Sequence, residues 1–328
     1  MRYTPIKLNG HAFQMPAITL GSVFFGTNVP EKSAFEIMDA YYEAGGTWLD
    51  TARVYCTELI DLAKRLPDFS DSEEVIGRWI ASRNMRNKVT VITKGAHWSL
   101  ATKEKRVTPD AIRHDVDLSL KKLGVEQIDI YFLHNDDPTV PVEVIMPVLD
   151  ELVKKGKARV VGCSNWKIGR VQEANAFAKA NGLTPFSISQ VKWSYAAPTE
   201  EAAAGSVNME GDAEEYVGYQ QMKMPIMAYS SQARGFFIKA ARGGFDKDNL
   251  GSAAKFLSEK NEQRANTVLK IAREEHISPS AAAFAYLWSR AVPITALVGP
   301  SGIAQLRESL LDCDYLPTAE IKALLEKA

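Results

Sequence analysis

Four ionisable side chains stand at or just past the ends of short apolar runs. Asp50 closes TWLD, Tyr55 follows in DTARVY, Lys94 closes VTVITK and His134 closes IDIYFLH. These residue types suit carbonyl reduction, which needs hydride at carbon and a proton at oxygen. A tyrosine can supply the proton, but its ordinary pKa of ~10 makes it a reluctant donor near neutrality. A lysine ammonium ~4 Å away contributes ~4 kcal/mol at an effective dielectric of 20, or ~3 pK units toward easier ionisation. The phenol then titrates near working pH, where proton transfer is efficient. Asp50 would hold Lys94 charged and aimed, and His134, as an N–H donor, would orient the substrate oxygen. Each residue alone has a plainer use: a helix cap, a half-buried ring, a snorkelling cation, a satisfied loop histidine. Four of them at successive run ends are much harder to produce by accident.

The elements that must position them can be read from periodicity. Strands are expected at Ala17–Gly21, Thr47–Asp50, Val89–Thr93, Ile128–Leu133, Arg159–Gly162, Ser187–Gln190, Pro225–Tyr229 and Ile294–Val298. Amphipathic helices are expected at Glu31–Ala44, Ser72–Arg83, Pro109–Leu123, Val142–Lys155, Ile168–Asn181, Asn261–Glu275, Pro279–Arg290 and Gly302–Leu311. Thr108-Pro109 and Ser278-Pro279 have the form of a capping hydroxyl before a first-turn proline. Gly45-Gly46, Gly124, Gly156 and Gly182 each follow a helical stretch, where a left-handed stop is expected. Strand, helix and glycine thus repeat along the chain, which predicts a parallel sheet with crossover helices. Eight such strands close into a (β/α)8 TIM barrel, and polar groups at their C-terminal ends read as catalytic. An open doubly wound sheet is the alternative. Two connections, Lys192–Lys223 and Ser230–Glu259, follow strands six and seven and exceed ordinary loop lengths, as functional lids do. No linker divides the chain, so residues 1–328 read as one domain.

In this order the residues resemble the catalytic tetrad of the aldo-keto reductase family. GSVFFGTN (Gly21–Asn28), GCSNW (Gly162–Trp166), MAYSSQARG (Met227–Gly235) and VGPSGIAQLRES (Val298–Ser309) resemble further family segments in register. The resemblance implies a nicotinamide cofactor, NADP(H) first and NAD(H) as the alternative. Ser164, Asn165 and Gln190 would hold its carboxamide, and Tyr229 would stack on the ring. Gly26, Thr27 and Asn28 would lie near the ribose, and Ser230, Ser231, Gln232 and Gly235 near the pyrophosphate. Gly299, Ser301 and Gln305 belong to the C-terminal cofactor segment, which lacks the cation that many NADP-dependent relatives place there. Phe24, Phe25, Trp98, Trp166 and Trp193 are expected to line a pocket for an apolar or aromatic carbonyl compound.

Composition narrows the partners. With 39 basic against 40 acidic residues the net charge is −1, so no basic field recruits nucleic acid or an anionic membrane. The first twenty residues lack a signal-peptide core, and no apolar run reaches the ~18–20 residues that span a bilayer. A cytoplasmic enzyme acting on a small carbonyl compound is expected, with no obligate protein partner. Cys56, Cys163 and Cys313 form neither a metal spacing nor a disulfide framework, and read as small buried side chains. His97 and His134 have no third ligand at metal spacing, so no metal is expected. Two other functions use the same residues: a Schiff-base lyase or aldolase built on Lys94, and a nicotinamide-binding regulatory subunit with little turnover.

Overall fold

A computed structural model describes residues 1–55, 71–99, 102–203, 205–210 and 212–328. The chain opens with an antiparallel hairpin, β1 (Tyr3–Leu8) and β2 (His11–Pro16), turning at Asn9-Gly10 with φ of 45° and 86°. Asn-Gly tolerates that left-handed pair, which matches the twist of the flanking strands. Parallel strands follow: β3 (Ile18–Gly21), β4 (Trp48–Asp50), β5 (Thr90–Gly95), β6 (Ile128–Leu133), β7 (Ala158–Ser164), β8 (Ser189–Lys192), β9 (Ile226–Tyr229) and β10 (Ile294–Val298). They pair in sequence order, and β10 returns to β3, so the (β/α)8 barrel is closed.

Alternation along the strands sorts two cores. Trp48, Ile92, Ile130, Phe132, Val160, Ile188 and Met227 fill the barrel and meet Ile6, Leu8, Phe13 and Met15 of the hairpin. Their neighbours Leu49, Val91, Tyr131, Val161, Val191 and Ala228 join the larger core beneath the surrounding helices. Because the period is two, Asp50, Lys94, Gln190 and Tyr229 each stand two residues beyond an inward apolar side chain. The same pattern that builds the barrel interior therefore delivers polar groups to its upper end.

The helices are α1 (Glu31–Glu43), α2 (Ser72–Arg83), α3 (Pro109–Leu123), α4 (Val142–Lys154), α5 (Ile168–Ala180), α6 (Glu200–Ala203), α7 (Ala213–Met222), α8 (Phe236–Gly243), α9 (Lys247–Leu250), α10 (Glu259–Glu274), α11 (Pro279–Trp288), α12 (Ile303–Leu310) and α13 (Ala319–Lys327). The side chains of Thr108 and Ser278 cap α3 and α11 as expected, and Gly124 ends α3 at φ 63°. Three features depart from the sequence reading. The hairpin and α13 were not anticipated, and the two long connections carry helices of their own. They are also stapled together, since the Thr199 hydroxyl of the first donates to the Lys255 carbonyl of the second, and just past the second, in α10, buried Asn261 exchanges hydrogen bonds with both backbone groups of Ala197, at 2.7 and 2.9 Å. Among the described residues no helix is long and apolar enough to cross a membrane.

Candidate active site

Lys94 and Asp50 are both 0% exposed, on adjacent strands β5 and β4. Lys94 Nζ donates to Asp50 Oδ2 at 2.7 Å, to the Thr51 carbonyl at 2.7 Å and to the Tyr55 phenol oxygen at 3.2 Å. An ammonium has three protons, so these three acceptors saturate it and fix its direction. The second Asp50 oxygen accepts from Gln190 Nε2 at 2.8 Å, which ties β8 into the same network. Burial pushes the Asp50 carboxyl up, against the pull of Lys94. Burial also works against the Lys94 charge, but Asp50 and Tyr55 outweigh it and hold the ammonium above its ordinary range.

His134 completes the group from the end of β6. Its ring meets the Tyr55 ring edge-on at 5.8 Å, and its backbone N–H donates to the Gly95 carbonyl. Burial, then the nearby Lys94, His97 and Arg53, drive its pKa well below the ordinary value, so the imidazole is neutral. A neutral imidazole donates one hydrogen bond without adding a second cation beside Lys94. The four expected residues are thus brought together at the upper end of the barrel.

The expected cofactor set divides. Asn165 (φ 58°) follows β7, and its amide oxygen accepts from the Tyr229 hydroxyl at 2.8 Å; Ser164 lies 3.3 Å from its amide nitrogen. With Gln190, these side chains form one polar group against the tetrad. Gln232 Nε2 donates to Ser309, and Ser301 donates to Gln305 through both its N–H and its hydroxyl. Gly26 and Thr27 are buried in the turn after β3, while Asn28, Ser230 and Gly299 are exposed, and Gly235 (φ 79°) sits in the turn before α8. Ser231 is buried, and its hydroxyl donates to the Leu297 carbonyl, which commits that hydroxyl to the end of β10.

The expected pocket lining needs a correction. Phe25, Trp166 and Trp193 are each no more than 1% exposed and belong to the core beneath the helices. Trp166 packs edge-on against Phe186, and Trp193 packs edge-on against Tyr286 and at a tilt against Tyr216. Adjacency to a strand end does not decide which way a ring points, because one residue changes the face. Phe24 remains exposed at 41%, and Trp98 stacks on His97 at 4.9 Å. His97 in turn touches His134 at 4.7 Å, so a run of rings leads from Tyr55 through His134 and His97 to Trp98. Sequence reasoning passed over His97 in this role, and passed over Arg53, Asp115 and Glu73. Asp115 and Glu73 carry a readable signal: each is a carboxylate on the buried face of an amphipathic helix. Cys56 lies outside the described residues. Burial pushes the Cys163 thiol up to about 12, and Cys313 is buried too.

The model of the aldo/keto reductase family matches residues 17–327. A norsolorinic acid reductase of Aspergillus flavus is 26% identical over 94% of this chain and 76% of its own length. An aldo-keto reductase of Strobilurus tenacellus is 24% identical over 93% and 84%. An aryl-alcohol dehydrogenase [NADP(+)] of Phanerodontia chrysosporium is 32% identical over 55% of this chain and 47% of its own.

Proposed function

The chain belongs to the aldo/keto reductase family, and we propose that it interconverts an aromatic or apolar carbonyl compound and its alcohol with NADP(H), with NAD(H) as a usable alternative. The observation that carries this reading is the Lys94 ammonium held between Asp50 and the Tyr55 phenol. Ser164, Asn165 and Gln190 present amide and hydroxyl groups suited to a carboxamide, and Tyr229 supplies a partly exposed ring beside them. That donor set fits a nicotinamide, which when bound supplies the hydride. Tyr55 gives its proton to the carbonyl oxygen, Lys94 stabilises the phenolate left behind, and Asp50 keeps Lys94 charged. Neutral His134 donates to the same oxygen and orients it. The ring run from Tyr55 to Trp98 suits a flat substrate, consistent with the aryl-alcohol dehydrogenase among the relatives.

Cofactor choice follows from where the cations are. Gly299, Pro300 and Ser301 carry no charge, Arg242 pairs with Glu308 at 2.6 Å, and Lys239 Nζ donates to the Leu250 carbonyl. Arg307 is exposed on α12. Preference for NADPH over NADH is therefore expected, but narrower than in relatives with a cation in that segment. A Schiff-base role for Lys94 is disfavoured, since that chemistry needs a lysine whose pKa is lowered, and this one is raised.

The test is steady-state turnover of a panel of aromatic aldehydes with NADPH and with NADH, for wild type and Tyr55→Phe. Turnover with wild type and a loss of ~10²-fold or more in the variant are expected. No turnover across the panel, or a variant keeping more than about half the activity, overturns the reading. Borohydride trapping of substrate on Lys94 would favour the lyase instead.

A further inference from the structure

One buried carboxylate outside the barrel gathers the loop that carries the proposed proton donor Tyr55 and the segment that follows Lys94. Asp115 lies on the apolar stripe of α3 with Ile112, Val116 and Ser119 and is 0% exposed. Its Oδ2 accepts from the Ala96 N–H at 2.8 Å and from Arg106 Nη1 at 2.9 Å. Its Oδ1 accepts from Arg106 Nη2 at 2.7 Å and pairs with Arg53 Nε at 3.2 Å. Arg53 stands two residues before Tyr55, and its backbone N–H donates to the Lys94 carbonyl at 3.0 Å. Ala96 stands two residues after Lys94 at φ 58°, a left-handed conformation that costs an alanine and must be held by its surroundings. Arg106 also reaches the His97 carbonyl at 3.3 Å.

Packing alone does not ask for a carboxylate here, because an apolar side chain would fill the stripe without desolvating a charge. The strand is shaped to admit it: a Cβ on Gly95 would stand 2.9 Å from the Asp115 Cβ and would collide with the Tyr131 hydroxyl. We propose that Asp115 is a positioning residue for proton transfer, setting the separation between Tyr55 and Lys94 by fastening the Arg53 loop to the end of β5. The inference rests on the reading of Tyr55 as the proton donor paired with Lys94. Charged and titratable groups around that pair are Asp50, His134, His97, Arg53 and Tyr229; around Asp115 they are Arg53, Arg106, Glu73 and Tyr131.

The decisive variant is Asp115→Asn, read by the pH dependence of kcat for alcohol oxidation, where the Tyr55 phenolate accepts the proton. If the clasp sets the dyad, its loss lets the 3.2 Å contact relax. Relaxation to about 4.5 Å at an effective dielectric of 20 raises the rate-controlling limb by about one pH unit. A purely electrostatic role has the opposite sign, because removing the carboxylate leaves Arg53 uncompensated and eases ionisation of the phenol. The expected result is an upward shift with NADPH affinity, followed by protein fluorescence, unchanged within about twofold. A lowered limb, or a lower kcat with the limb unmoved, overturns the proposal. Should Asp115→Asn fail to fold, Arg53→Lys keeps the charge but loses the guanidinium Nε that pairs with Asp115 and must show an upward shift; a limb unmoved there, as a purely electrostatic role would leave it, overturns the proposal. Failure of the underlying reading looks different, since the limb would then persist in Tyr55→Phe.

Discussion

Replacing Lys94 by methionine tests the proposed mechanism at its centre. The ammonium lies 3.2 Å from the Tyr55 oxygen and 2.7 Å from Asp50. At an effective dielectric of 20, one charge at the first distance stabilises a phenolate by about 5 kcal/mol. Asp50 cancels part of that field, so a working figure is about 3–4 kcal/mol, or 10²–10³ in rate. The Asp50 carboxyl, already pushed up by burial, then takes up a proton while Gln190 still donates to it. Neutralisation limits the penalty of a broken buried pair, otherwise about 3–5 kcal/mol. The assay is kcat with an aromatic aldehyde, alongside a thermal melt and a fluorescence titration with NADPH, so that lost chemistry is separated from lost fold. Lys94→Met should lose about 10²–10³ in kcat, and Tyr55→Phe/Lys94→Met should be hardly slower than either single variant, since the two act as a unit. Losses that multiply fully in the double variant would show independent roles and refute the dyad.

Three further outcomes follow from the geometry. Burial raises the Glu73 carboxyl to about 7, so its contribution to stability is present below the unfolded pKa near 4.5 and is lost as pH rises to about 7, about 3 kcal/mol in all. Glu73→Gln should therefore gain on wild type in melting temperature between pH 5 and 8, and a pH-independent difference contradicts the burial argument. Asn261→Ala leaves both backbone groups of Ala197 and the Phe256 carbonyl without their partner, costing about 2–3 kcal/mol. Urea unfolding should register that loss and limited proteolysis should cut residues 192–223 faster; equal cleavage rates would mean other contacts hold the segment. Ser301→Arg should widen the NADPH-to-NADH affinity ratio by about 10-fold or more with NADH binding nearly unchanged, whereas an unmoved ratio would place the 2′-phosphate elsewhere.

The tetrad positions were legible because barrel strands are short and alternate: knowing that Trp48 or Ile92 points inward fixes where Asp50 or Lys94 points. The eight strands were legible for the same reason, to within two residues at each end. Phe25, Trp166 and Trp193 were not, since each stands just past the regular pleat, where chain direction rather than period orients a ring. The hairpin carried a signal in Asn9-Gly10, but its strands are half exposed and bury only one face, which weakens their hydrophobic pattern. Asp115 was visible as a charge on the apolar stripe of α3, and its partners were not, because Arg53 and Arg106 reach it across tertiary structure.

The hairpin also sets an order of events during synthesis. Its apolar residues Ile6, Leu8, Phe13 and Met15 rest in a cluster with side chains drawn from five strands, as far along as Met227, and with Ile188 just before β8, and the barrel closes only when Ile18 meets Ala296. The hairpin is therefore made before the floor it docks on and must wait for the later strands to follow. Pairings this remote in sequence form slowly, and meanwhile a two-stranded ribbon with one greasy face is open to solvent. Until then the ribbon is a place open to association, and its docking into the completed barrel is the step that ends the exposure.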